Sequence, residues 1–434
     1  MAGDKSVRVH HLTRVEGHGD LTAEVRDGRL EDVRFTVVEA PRFFEAILRG
    51  RPYDEVTHIA SRICGICAVS HKCAALKAVE AAFGTEIGEQ TLLLRRLAFH
   101  GEIVSSHILH LYFLAAPDFL GLPSVLPLIE KDRDLVLRAM RLKKLGYDLA
   151  ALVAGRHTHP VAMTVGGFGF LQSPEDLSAM RERLAASLED LEATVQLFGT
   201  LKFPDFHRET VYVSLRHPLH YAFYDGEVVS SLGDAIPADR YAEAIEEATV
   251  PPSTAKYASW RGRPYMVGAL ARVNNNHEQL GPRAREAAGE LGLSVPCFNP
   301  FMITAAQLVE CVHCVEESIE LIERLLDRTL RDHERQGDVR VGSGRGVGAV
   351  EAPRGILFHE YELDHKGRCR TANHVIPTAQ NLANLDADLR AYAPGIVEES
   401  EESFRQGLEM LVRAYDPCIS CSTHVARAKS PYPD

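Results

Sequence analysis

Positive charge is the scarcer sign in this sequence. Lysine and arginine together number 48 against 60 aspartates and glutamates, for a formal net charge of −12. No basic run offers the phosphate-neutralising footprint of a nucleic-acid binder, so that class of partner is set aside. A long apolar run is missing as well. The most apolar stretch, IVSSHILHLYFLAAPDFLGL from Ile103, carries two histidines and an aspartate and breaks at Pro117. It reads as a buried helix, not a membrane span. The first residues, MAGDKSVRVHHL, lack the apolar core of a signal peptide, and a cytoplasmic protein is expected. Internal repeats and low-complexity tracts are absent. The nine cysteines are an odd number with no ferredoxin-like spacing. In a reducing compartment such cysteines point to metal binding or redox work, not to a disulfide framework.

What is present is a chain of 434 residues, long enough for one large domain or a few tightly packed ones. The first forty residues, 1–40, read as β-rich, with strands at Val7–Val9, Asp20–Arg26 and Leu30–Val38 and a hairpin at Asp27-Gly28. Residues 41–200 are helical. One helix follows Cys67 and ends at Gly84, others cover Leu92–Leu114 and Leu135–Val153, and a fourth starts at Ser173-Pro174 and runs to about Leu197. Residues 201–298 form an irregular, β-containing excursion, and 299–336 return to helix. Residues 337–380 are β-rich again, with GVGAV, GILFHEYEL and ANHVIP as strands. Residues 381–424 hold two last helices, Leu382–Tyr392 and Ile396–Tyr415, and a cysteine motif; 425–434 are a tail. The expected fold is α+β and mainly helical: a single domain over 1–424, with a large helical body and peripheral β-rich elements.

Two segments carry the chemistry. RICGICAVSH, residues 62–71, holds Cys64 and Cys67, and DPCISCSTH, residues 416–424, holds Cys418 and Cys421. Each pair lets two sulfurs converge on one ion, and together they offer four thiolates. A closed structural zinc site is one reading. Zinc ribbons, however, bring their pairs together over a few tens of residues, whereas 350 residues lie between Cys67 and Cys418. A site that joins both ends of so large a domain lies at its centre, as a cofactor does. Glu16 in TRVEGHG, Arg354 in EAPRG and Asp416 beside Cys418 are charged groups that a structural zinc site does not need. A reactive metal needs such groups to tune it and to move protons.

The ordered set TRVEGHG, PRFFEAILRGR, RICGICAVSH, EAPRG, NHVIP and DPCISCSTH resembles the large, catalytic subunit of nickel–iron hydrogenases over almost the whole chain. The PRFFE segment and the modest length are most similar to the cytosolic, NAD(P)-linked, sulfhydrogenase-type branch. The resemblance implies reversible heterolytic cleavage of H2 at a Ni–Fe centre whose iron carries CO and cyanide. Cys64 and Cys418 would be terminal nickel ligands, and Cys67 and Cys421 would bridge nickel and iron. Cys418 would pass a proton to Glu16. Arg354 would stand over the centre, oriented by Asp118 and Asp416. Pro353 and Pro377 would wall the CO and cyanide pocket, Thr378 would donate to a cyanide, and His71 would hydrogen-bond a sulfur or cyanide. A magnesium ion would be held by Glu45, His424 and the backbone carbonyl of His374.

The same resemblance implies partners. An obligate small subunit would carry the iron–sulfur clusters, and a diaphorase pair would carry flavin and further clusters. Metallochaperones and an endopeptidase would serve maturation, the latter acting after His424, where VARAKSPYPD follows. Alternatives are a metal-free hydrogenase-like subunit of a larger redox complex and a zinc-stapled scaffold. Cys311 and Cys314, with His313 between them, share a helix face and read as packing, as do Cys73, Cys297 and Cys369. GSGRGVGAVEAPRG looks like a phosphate loop, but no strand–loop–helix unit surrounds it.

Overall fold

A computed structural model describes residues 4–423. The chain opens with an antiparallel sheet of β1 (Lys5–Val9), β2 (Gly19–Arg26) and β3 (Arg29–Val37). Alternation dictates its packing: Leu21, Ala23 and Val25 of β2 and Val33, Phe35 and Val37 of β3 face the core. Asp27 and Gly28 both take positive φ, 48° and 72°, which is what a two-residue turn between right-twisted strands requires.

Among the described residues, seven long helices form the body: α1 (Ala68–Phe83), α2 (Glu89–Leu109), α3 (Arg133–Ala154), α4 (Pro174–Gly199), α5 (Ile303–Arg328), α6 (Pro377–Tyr392) and α7 (Glu401–Ala414). α1, α2 and the first half of α5 are buried nearly all round, as befits helices at the centre of a large core. α2 and α3 cross where Gly101 meets Gly146. A Cβ on Gly101 would lie 2.7 Å from the Gly146 carbonyl oxygen, so the two backbones touch without side chains between them.

The second β-rich part is an antiparallel sheet of β4 (Gly344–Ala352), β5 (Gly355–Leu363) and β6 (Cys369–Val375). β4 lies directly on α1. Cβ atoms on Gly344, Gly346 and Gly348 would sit 2.0–2.1 Å from the carbonyl oxygens of Ala82, Ala78 and Ala74. The glycine repeat is a comb that admits the backbone of a helix, and it is not a phosphate loop. Residues 211–266 form a four-stranded sheet and a two-stranded one, packed in a second, smaller apolar cluster around Trp260, Tyr265 and Phe358.

Two helix ends differ from the sequence reading. The helix expected over Leu92–Leu114 is α-helical only to Leu109, and His110–Ala115 then widens into a π-turn. Pro117 has no N–H to give and crowds the carbonyl four residues back, and the backbone relaxes just upstream of it. The helix expected from Ile396 starts instead at Glu401, where the Ser400 hydroxyl accepts the Ser403 N–H at 3.1 Å. No helix among the described residues is long and apolar enough to cross a membrane.

Candidate metal centre

Each cysteine pair sits where regular structure breaks. Cys64 is extended, after a short turn over Ser61–Ile63, and Cys67 caps α1. The Ile66 and Cys67 N–H groups both donate to the Cys64 sulfur at 3.2 Å. Cys418 pairs as an isolated bridge with Glu16, and a one-turn helix, Ile419–Ser422, carries Cys421. Gly17 permits that bridge. Its φ is 87°, and a Cβ there would meet Ile419 Cβ at 2.7 Å and Ser420 N at 2.9 Å. The guanidinium of Arg42, from the PRFFE segment, donates to the carbonyls of both Ile63 and Ser420, which precede Cys64 and Cys421. One side chain thus ties the two cysteine segments together.

The four sulfurs meet. Cys64–Cys418 and Cys67–Cys421 are each 3.6 Å apart, Cys418–Cys421 is 2.8 Å, and all four ligand atoms lie within 4.8 Å of one another. All four residues are at most 5% exposed. Four thiols in contact cannot all ionise unaided. Cys67 and Cys418 are held well above the ordinary thiol range by the neighbouring sulfurs, and burial pushes Cys421 up to about 11. Burial works against Cys64 too, but hydrogen bonds from the other three carry it well below that range. Only a cation among them removes the conflict, and a soft, thiolate-seeking metal is the cation this donor set fits.

Arg354 is 4% exposed beside this cluster. Its Nε donates to the Asp416 carbonyl at 2.7 Å, its Nη2 to Asp416 Oδ1 at 2.8 Å and its Nη1 to Ser106 Oγ at 3.1 Å. Gln307 donates to the other Asp416 oxygen at 3.1 Å. Burial opposes the charge, yet Asp416 and the cysteine sulfurs hold Arg354 protonated. Further back, Arg272 donates to the carbonyls of Ala352 and Pro353 at 2.9 and 3.0 Å and pairs with Glu310 and Glu351, all fully buried. It thereby fixes the loop that presents Arg354.

Asp118 is a correction. It was expected to hold Arg354, but it binds Arg14 and, at 2.8 Å, Arg413. Asp118 follows the π-turn over His110–Ala115, and Ser106 takes the place beside Arg354. The small cavity against the sulfurs is lined by Pro377, Thr378, His71, Leu357 and Arg354, and not by Pro353. Thr378 Oγ1 accepts the Cys418 N–H at 3.0 Å. Burial lowers His71 to about 4, and its Nδ1 lies 3.0 Å from His359 Nε2. The Glu16 carboxylate accepts the Ser420 N–H at 3.0 Å and the Ser420 hydroxyl.

Of the residues expected around magnesium, Glu45 meets His374 at its N–H, not at the expected carbonyl. Glu45 Oε1 accepts the His374 N–H at 2.9 Å, while His424 lies outside the described residues. Lys256 stands 3.6 Å from Glu45 and 3.0 Å from Glu247, a pair the sequence reading did not single out. Ser106, Gln307, Arg42 and Arg272 were likewise missed. Nothing in a lone helical serine or glutamine, or a lone arginine, marks it as facing a metal. Cys311 and Cys314 are fully buried in α5, with thiols pushed up by burial, and no ligand set forms around them among the described residues. His217, His220 and Asp225 also gather, with the two rings stacked at 3.7 Å and His220 Nε2 2.9 Å from Asp225 Oδ1.

The pattern of the family described as nickel-dependent hydrogenase matches residues 42–136 and 214–424. The alpha chain of sulfhydrogenase 1 from Pyrococcus furiosus is 34% identical over 97% of this chain and 98% of its own length. That of sulfhydrogenase 2 from the same organism is 33% identical over 97% of this chain and 99% of its own. Among solved structures, an NAD+-reducing [NiFe]-hydrogenase in the H2-reduced state superposes with a TM-score of 0.86 at 30% identity, covering 96% of this chain and 99% of that one. The Ni-Fe-Se hydrogenase of Desulfovibrio vulgaris Hildenborough, at 24% identity and a TM-score of 0.80, shares the fold over 97% of this chain and 100% of that one. With four buried, converging cysteines at its centre, the chain belongs to the nickel-dependent hydrogenases and is the catalytic subunit of a nickel–iron enzyme.

Proposed function

We propose that this chain cleaves H2 reversibly within a cytoplasmic, NAD(P)-linked complex. The observation that carries the reading is a buried guanidinium clamped by Asp416 against four converging thiols. Cys64, Cys67, Cys418 and Cys421 would hold a nickel–iron centre, with Cys64 and Cys418 as the expected nickel ligands and Cys67 and Cys421 the expected ligands shared with iron. That group supplies the Lewis acidity and redox range for heterolysis. The chain supplies the rest. Arg354 keeps a fixed positive charge over the reacting position, in a place closed to bulk water. Pro377, Thr378 and His71 shape the pocket beside the sulfurs. Cys418 hands a proton to Glu16. The backbone bridge between these two residues supports that transfer, because it sets their relative position. The Ser420 hydroxyl on the Glu16 carboxylate offers an onward step. Glu45 and the His374 carbonyl would hold magnesium, with His424 as the third expected ligand.

Electrons leave through a partner. Among the described residues no second cysteine cluster exists to hold an iron–sulfur group. A small subunit with clusters and a flavin-bearing diaphorase pair are the expected route, with metallochaperones and an endopeptidase for maturation. The alpha designation of the Pyrococcus proteins and the NAD+-reducing structure support this assembly. The test is H2-dependent reduction by the purified complex. Reduction of both viologen and NAD+ or NADP+ is expected. Viologen reduction alone would leave the hydrogenase and overturn its NAD(P) linkage.

A further inference from the structure

Helix α1 starts at Cys67 without a cap of its own. The Cys67 carbonyl takes the His71 N–H at 3.1 Å, but its side chain makes no capping hydrogen bond. The sulfur lies instead 3.6 Å from that of Cys421. A helix start without a cap leaves N–H groups that need acceptors, and leaving them unmet is costly in a buried place. Glu102 reaches across from α2 and supplies them. Its Oε2 accepts the Val69 N–H at 2.6 Å, and its Oε1 accepts the Ser70 N–H at 3.0 Å and the Ser70 hydroxyl. Val69 and Ser70 are the second and third residues of the helix, the two that an N-cap side chain ordinarily serves. Glu102 is 2% exposed. Burial pushes its carboxyl up to about 8 against the pull of those donors, and a protonated Glu102 still offers both oxygens, with the Ser70 hydroxyl turned to accept.

The same face of α2 also holds Arg354. Ser106 stands one helical turn beyond Glu102, and its Oγ takes Arg354 Nη1 at 3.1 Å. The turn between them is braced from behind. α3 lies on it with no side chain between, since a Cβ on Gly146 would sit 2.6 Å from both the Gly101 carbonyl oxygen and the Ser105 nitrogen. One braced turn of helix thus grips the start of α1 at one end and Arg354 at the other. We infer that Glu102 is a positioning residue: it caps α1 in place of Cys67, leaves that sulfur to the metal and, with Ser106, sets the separation between the metal centre and Arg354. The inference rests on the hydrogenase reading above. It adds that the gap between the thiols and the guanidinium is measured out by α2, which holds none of the cysteines itself.

The test is the purified complex carrying Glu102→Gln, with nickel and iron quantified. Glutamine keeps the size and one acceptor, but it turns an NH2 group onto the Val69 or the Ser70 N–H. At full metal content, CO and cyanide bands shifted beyond the linewidth are expected, with H2-dependent viologen reduction lowered about 10-fold or more. Wild-type bands and rate with only a lower urea midpoint would make Glu102 a structural cap and overturn the inference. A second readout needs no variant to load metal. In the wild-type complex, the Val69 and Ser70 amides are expected to exchange with deuterium as slowly as those in the middle of α1, and the fast exchange of an uncapped helix start would contradict the cap. Absence of CO and cyanide bands in the wild type, with those two amides still slow, would overturn the hydrogenase reading and not the cap.

Discussion

Arg354 is a full positive charge with almost no water around it, and its worth lies in its geometry. The flat guanidinium spends one edge on Asp416 and one nitrogen on Ser106. Lysine offers a point charge without that fork. Arg354→Lys should therefore lower H2-dependent viologen reduction by roughly 100-fold or more, with nickel and iron content unchanged. Asp118 behaves differently, because it neutralises Arg14 and Arg413. Asp118→Ala should cost about 3 kcal/mol of stability, read from urea midpoints, and leave the CO and cyanide bands in place. The cysteines, Glu16, Arg354 and Asp416 were legible in the sequence because each stands in a short, dense motif. Asp118 was legible as important but not as to its partner.

Between residues and the whole, β4 on α1 is the decisive contact. It brings Arg354, in the turn after β4, to the cavity that Cys67, at the start of α1, also lines. Helix and strand here touch backbone to backbone, through Gly344, Gly346 and Gly348 on one side and Ala74, Ala78 and Ala82 on the other. Gly348→Val should push the two apart. A loss of about 3 kcal/mol or more is expected, with a larger fall in activity than stability alone explains. The sequence displayed the glycines and the strand, but nothing local says what a glycine makes room for.

Polar burial at this scale also has a pH signature. Glu310 of α5 is fully buried. Burial opposes its charge, but the Arg272 guanidinium and hydrogen bonds from Arg272 and His107 hold its pKa at about 2, below the ordinary 4.5. A depressed carboxyl stabilises the fold above its unfolded pKa and stops doing so as pH falls through the folded one. Stability should therefore drop between about pH 4.5 and 2. Glu310→Gln should be weaker at neutral pH by about 3 kcal/mol and lose its share of that acid dependence, as chemical denaturation at several pH values would show.

For the molecule as a whole, the defining feature is that one site draws on four distant stretches. Glu16, Cys64–Cys67, Arg354 and Asp416–Cys421 meet through a strand bridge, a helix cap, a strand end and a one-turn helix. Motif spacing showed that the two cysteine pairs belong together, and the helical body with its β-rich margins was readable from periodicity. The β content of residues 211–266 was readable, but the pairing of its strands, and the polar groups behind Arg354, were not. Their partners are far away in sequence, and burial is decided by the assembled core. The central claim is that the four thiols hold nickel and iron. Elemental analysis of the natively purified complex, joined to infrared absorption, tests it most directly. Nickel and iron in about equal amounts with CO and cyanide bands are expected, whereas zinc at one equivalent with no such bands would contradict a nickel–iron centre.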